Sequence, residues 1–190
     1  MEMFEVDSQL DPSPQTQESN APAYWYFQQA EAHYLAGQDE LAQDAYLKAL
    51  ALAREGDQFL FETYKNLGNI FVRAGDFDAA EENYNRAYTL NPRSDALIVN
   101  YGILEIQRDN MQLAIERFRE AVCLNRFNDK AWVGLALVHR KLGDHELAWA
   151  NLVHAIDLNG DNQTARHLAD QWARADGQPD ENTRFNWRIR

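Results

Sequence analysis

From residue 23 to about residue 175, apolar side chains recur every three or four positions, with small residues set between them. That spacing keeps one face of a helix apolar, and no segment sustains the alternation of a half-buried strand. The pattern predicts helices and no sheet. Gly37, Gly75 and Gly143 each stand between two helical stretches, followed by Gln38-Asp39, by Asp76 and by Asp144. A glycine that closes one helix and a polar residue that opens the next predict a tight helical hairpin. Pro92 is the sole proline between residues 23 and 175, so little else interrupts the pattern. Nine helices are expected.

The stretch Tyr64-x-x-Leu67-Gly68-x-x-Phe71-x-x-x-Gly75 continues as Ala80-x-x-x-Tyr84-x-x-Ala87-x-x-x-x-Pro92. The same slots are filled 34 residues later by Ile98, Tyr101, Gly102, Glu105, Ala114, Phe118 and Ala121. They are filled again by Trp132, Leu135, Ala136, His139, Gly143, Ala148, Leu152 and Ala155. An earlier unit has Tyr26, Ala30, His33, Gly37, Ala42, Tyr46 and Ala49, then four extra residues before the register resumes. This sequence resembles the tetratricopeptide repeat (TPR) family. The resemblance implies an all-α, right-handed TPR superhelix, an α-solenoid of four helix-turn-helix repeats over 23–60, 61–94, 95–128 and 129–162. Gly68, Gly102, Ala30 and Ala136 are small where the first helix of a pair must approach the second. Tyr46, Tyr84 and Phe118 fill the space between. Asp109 replaces the hairpin glycine of the third repeat and has to adopt a left-handed conformation to make the turn. Residues 163–175 read as a capping helix that covers the open end with Leu168 and Trp172 and leaves Arg166, Asp170 and Arg174 in water.

Composition narrows the function. Lys and Arg number 18 against 30 Asp and Glu, a net charge of −12, which disfavours nucleic acid and anionic membranes as partners. One cysteine cannot form an internal disulfide. The start carries no basic, apolar leader, and no stretch is long and apolar enough for a membrane span, so a cytoplasmic chain is expected. Residues 1–22 hold Glu2, Glu5, Asp7, Asp11 and Glu18 with no cation and three prolines, an acidic tail with Met3-Phe4-Glu5-Val6 as its apolar spot. Residues 176–190 are expected to form a second flexible tail, ending Arg184-Phe185-Asn186-Trp187-Arg188-Ile189-Arg190.

No phosphate-cradling glycine loop, nucleophile elbow, zinc-protease helix or Cys-x-x-Cys pair is present. The five histidines are scattered. His33 and His139 occupy core-type slots, and Cys123 reads as a buried, inert thiol. The chain is expected to have no catalytic residue, no cofactor and no metal site: it is not an enzyme.

The resemblance also implies where a partner binds, because the first helix of each TPR pair lines the concave face. That face is expected to present Lys65, Asn66, Asn69 and Arg73 from the second repeat. The third adds Val99, Asn100, Ile103 and Gln107, and the fourth Lys130, Val133, Leu137 and Lys141. Tyr24, Phe27 and Glu31 extend it at the first. Lys65, Asn69, Asn100 and Lys130 stand at four of five places that resemble the carboxylate clamp of co-chaperone TPR domains. The fifth, usually arginine, is Gly134. The expected function is a monomeric, non-catalytic adaptor that holds a partner peptide in this groove. A small secretion or co-chaperone-type protein and a regulatory subunit of a cytoplasmic enzyme or motility complex are the alternatives.

Overall fold

The computed structural model describes residues 22–176, and both tails foreseen from the sequence lie outside those residues. Nine helices and no strand are found among the described residues: α1 Ala23–Leu35, α2 Asp39–Leu52, α3 Leu60–Ala74, α4 Phe77–Leu90, α5 Asp95–Gln107, α6 Met111–Leu124, α7 Asp129–Lys141, α8 His145–Leu158 and α9 Gln163–Asp176. The chain divides into two compact units, the first ending at Thr63 and the second beginning at Tyr64.

The hairpins turn by one repeated device. Gly37, Gly75 and Gly143 have φ of 70°, 79° and 81°, and Asp109 reaches 63° at the equivalent place in the third pair. In each turn this residue's N–H bonds three residues back and the next N–H bonds five residues back. Gly143 donates to the Arg140 carbonyl at 3.1 Å and Asp144 to that of His139 at 2.9 Å, while Asp109 and Asn110 donate to Ile106 and Glu105 at 3.1 and 2.9 Å. These bonds satisfy carbonyls that the end of a helix leaves orphaned. The left-handed conformation expected of Asp109 is present. Two of the helices that follow, α4 and α8, open on side-chain caps: Asp76 accepts from the Ala79 N–H at 3.1 Å and Asp144 from that of Leu147 at 3.4 Å.

In the first unit, Tyr26, Ala49 and Phe59 form a buried cluster, with Ala23, Phe27, Ala53 and Leu60 against it. Tyr46 is fully buried, and its hydroxyl donates to Glu31. The four-residue insertion lies in the turn before Phe59, where Gly56 has φ of 90° and the Asp57 carboxylate accepts from the Arg54 N–H at 2.8 Å.

In the second unit each later helix packs on its predecessor: α4 on α5, α5 on α6, α6 on α7, α7 on α8 and α8 on α9. The first helices α5 and α7 also touch directly. Aromatic rings fill the seams that small residues open. A side-chain carbon on Gly68 would come within 2.2 Å of the Tyr84 ring, and one on Gly102 within 2.6 Å of the Phe118 ring. α9 closes the last pair as expected: Trp172 is buried edge-on against Trp149 at 5.7 Å, and Leu168 packs on the same cluster. Arg166, Asp170 and Arg174 are exposed.

Candidate functional site

Asn100 and Lys130 come from α5 and α7, the two first helices in direct contact. Lys130 is exposed and forms no ion pair among the described residues, and the half-buried Asn100 side chain makes no hydrogen bond among them. Ile103 and Leu137 stand at equivalent places on these helices, one and two turns further on. They are 41% and 37% exposed. Lys141 follows Leu137 by one turn and bonds Asp109 at 3.1 Å. Two touching helices thus offer an apolar shelf, an amide and a cation on the same elements.

On α3, Lys65 and Asn69 lie one turn apart and both are half-buried. The Asn69 side-chain oxygen accepts from the Tyr84 hydroxyl at 2.8 Å, which fixes the amide's orientation. The Tyr84 ring in turn sits 5.2 Å from that of Tyr101 on α5. Tyr84 therefore couples the Asn69 side chain to the helix that bears Asn100. Arg73 is exposed at the end of α3.

Three of the expected groove residues are not on an open face. Asn66, Val99 and Val133 are 5%, 3% and 6% exposed. Val133 belongs to the buried cluster of Ala136, Trp149, Leu152 and Trp172. Val99 and Val133 each lie one turn before the exposed Ile103 and Leu137, and at that point the helix face has rotated into the seam. Helical spacing names the face, but only packing fixes its width.

Gly134 explains the absent fifth residue of the clamp. A side-chain carbon there would stand 2.3 Å from the Phe118 ring, which is wholly buried and also abuts Gly102. The place is occupied by packing, and an arginine has no route out of it while Phe118 stays where it is.

Two further expectations are corrected. Cys123 is exposed rather than buried, because it lies on the outward side of the last turn of α6. His33 is half-exposed rather than a core residue, and its Nδ1 pairs with the Gln38 side chain at 2.7 Å. His139 is buried as expected, and desolvation holds its pKa below the ordinary 6.5, the nearby Asp144 opposing and Arg119 assisting. His154 is also lowered by burial, and its ring meets Trp132 edge-on at 4.4 Å. Burial pushes the Tyr101 phenol up to about 12, and its hydroxyl donates to Asn85 at 2.6 Å. No group of three or more metal-binding side chains occurs among the described residues, and none of their helices is long and apolar enough to cross a membrane.

Sequence reasoning missed a clip that joins successive repeats. Asn125 and Asn128 both donate to the Asp95 carboxylate, at 2.7 and 2.8 Å, and Asn159 and Asn162 to that of Asp129, at 2.6 and 2.9 Å. The signal was the recurrence of Asn, Asn and Asp at the repeat period. Arg108 adds a second tie, with the Glu81 carboxylate at 2.8 Å, Asp78 at 3.1 Å and the Phe77 carbonyl at 3.0 Å. These contacts hold α5 and α7 in place beneath the shelf.

Comparison with known proteins agrees with this architecture. Family models described as tetratricopeptide repeat match residues 20–93, 65–130 and 129–162. Over 111 residues the chain is 32% identical to the BBSome complex member BBS4 of Bos taurus; the match takes in 58% of this chain and 20% of that protein. The chain therefore spans about a fifth of that relative's length. Among solved structures it resembles YrrB, described as a TPR protein with an unusual peptide-binding site, with TM-score 0.61, 20% identity and coverage of 77% and 73% of the two chains. It also resembles pilF of Pseudomonas aeruginosa, with TM-score 0.64, 20% identity and coverage of 83% and 78%.

Proposed function

This chain belongs to the tetratricopeptide repeat family, and we propose that it is a non-catalytic adaptor that holds an extended partner segment along α3, α5 and α7. Its repeats make it a protein–protein interaction scaffold. The observation that carries the finer reading is the shared presentation of Asn100, Lys130, Ile103 and Leu137 by two touching helices. Asn100 can donate to and accept from a peptide backbone, and Lys130 can receive a carboxylate. Ile103 and Leu137 give an apolar side chain a surface to cover.

The partner this chemistry suits has an apolar residue on the Ile103–Leu137 shelf and a carboxylate, from a side chain or a free C-terminus, at Lys130. With no arginine at position 134, the carboxylate has a single point charge to meet rather than a planar fork. Binding is then moderate, salt-sensitive and tolerant of several partner sequences. That the cattle relative is by name a member of a complex fits a scaffold role within an assembly.

The test is calorimetric titration of a captured partner's peptide against the wild-type chain, Asn100→Ala and Lys130→Ala. A charge-assisted hydrogen bond contributes about 1.5–3 kcal/mol, so Lys130→Ala should weaken binding at least about tenfold. Equal affinity for all three chains would remove the site from these helices.

A further inference from the structure

The turns that join successive repeats within the second unit share one frame. The Asn91 side-chain oxygen accepts from the Arg93 N–H at 3.3 Å, Asn125 from that of Phe127 at 3.1 Å and Asn159 from that of Asp161 at 3.1 Å. Asparagine is what this frame needs, and the residue that donates to it differs from turn to turn. The first turn carries the exposed Leu90 and Arg93, the second Leu124, Arg126 and Phe127. Leu90 is 48% exposed, Leu124 37% and Phe127 64%. The third has Gly160 and Asp161 at these places, and its Leu158 is half-buried. Cations beside open apolar side chains are thus confined to two turns, and the shared frame does not call for them.

The Asp95 clip ties these two turns together. Its carboxylate, two residues from Arg93, binds the amides of Asn125 and Asn128 at 2.7 and 2.8 Å, the residues on either side of Arg126 and Phe127. The Arg126 carbonyl accepts from the Trp132 indole N–H at 3.1 Å, and its guanidinium lies over the Phe127 ring at 4.7 Å. Other arginines of α4 and α6 have partners: Arg86 pairs with Glu82, and Arg117 with Glu120. Arg93 and Arg126 are exposed and form no ion pair among the described residues. The carboxylates nearest to them in sequence, Asp95 and Asp129, are each engaged by two amides. On a chain of net charge −12, this edge offers guanidinium groups without a counter-charge, set among apolar side chains.

We propose that Leu90, Arg93, Leu124, Arg126 and Phe127 form a docking edge for a segment of another protein in which carboxylates alternate with large apolar side chains. Charge complementarity selects that occupant: carboxylates meet the two arginines while apolar side chains cover the leucines and Phe127. Two guanidinium groups are too few for nucleic acid, whose affinity grows with the number of phosphates neutralised. Isolated surface ion pairs contribute little, so the apolar contacts supply the hold and the charges set direction and specificity. The edge is separate from the shelf of Ile103 and Leu137. Those residues lie eight positions beyond Asp95 and Asp129, about 12 Å along their helices.

The probe is a synthetic peptide with blocked ends that alternates glutamate with leucine and phenylalanine, titrated into the isotopically labelled full chain. The largest amide shifts should fall on Arg93, Arg126 and Phe127. Arg93→Glu with Arg126→Glu should weaken binding at least about tenfold, and that variant should prefer the same peptide with lysine in place of glutamate. Phe127→Ser should weaken binding while leaving the charges intact. Raising the salt to about 1 M, where the screening length is about 3 Å, should reduce the preference between the two peptides. Absent shifts, or shifts at these residues that survive the double charge reversal, would overturn the proposal. Shifts confined to Asn100, Ile103 and Leu137 would overturn it too, while leaving the adaptor reading of the first helices standing.

Discussion

Replacing Gly134 with alanine puts one methyl group into space that Phe118 already fills. The new carbon would stand 2.3, 2.5 and 2.6 Å from three carbons of that ring, whereas uncompressed carbon pairs rest at about 3.5–4.0 Å. The ring would have to withdraw by roughly 1 Å. It has no free side to withdraw to, because it is fully buried and a carbon on Gly102 would already meet it at 2.6 Å. Overpacking costs about 1–3 kcal/mol, and a clash this deep belongs at the upper end. Removing a glycine from a helix interior returns about 1 kcal/mol. The expected net loss is about 2 kcal/mol, or about 4–8 °C in the unfolding midpoint for a chain of this size. Thermal and urea unfolding followed by far-ultraviolet circular dichroism would measure it. In a Phe118→Leu background the same substitution should cost less, with a coupling of about 1 kcal/mol. A Gly134→Ala chain as stable as the wild type would refute the packing account of the missing clamp arginine.

Three other outcomes are expected. Gly143→Ala meets no atom within 4 Å but keeps a φ of 81°, so it should cost about 1–2 kcal/mol from backbone strain alone, read as a lower urea midpoint. Burial lowers the His139 pKa, so below 6.5 the unfolded chain takes up a proton that the folded one resists; stability should fall as pH drops through that value, and His139→Gln should flatten the fall in unfolding midpoints measured across it. Trp172→Ala should detach α9, exposing apolar surface at the end of the second unit, and light scattering should then report association where the wild type shows less.

The fold was legible because its punctuation is local. Gly37, Gly75 and Gly143 mark their turns by the one property that glycine uniquely supplies, and Asp109 could be placed among them through the repeat spacing. The aromatic seams were legible too, since Tyr84 and Phe118 recur opposite Gly68 and Gly102. The site was legible in outline only. Val99 and Ile103 differ by one turn and are equally apolar, yet one is buried and the other exposed, a difference set by the packing of neighbouring helices rather than by either residue. Gly134 looked like a lost ligand until the Phe118 ring was seen against it. The Asp95 and Asp129 clips escaped notice because Asn and Asp near a helix start have an adequate local explanation as caps. Their second partner lies some 30 residues away.

The central claim is that the partner lies along the first helices, and site-specific photo-crosslinking tests it most directly. A photoreactive residue would replace Ile103 or Leu137 on the strip, and Leu41 or Leu147 as exposed controls on second helices. With the partner peptide present, covalent adducts should form from positions 103 and 137 and not from positions 41 and 147. Adducts from the second helices alone would contradict the account.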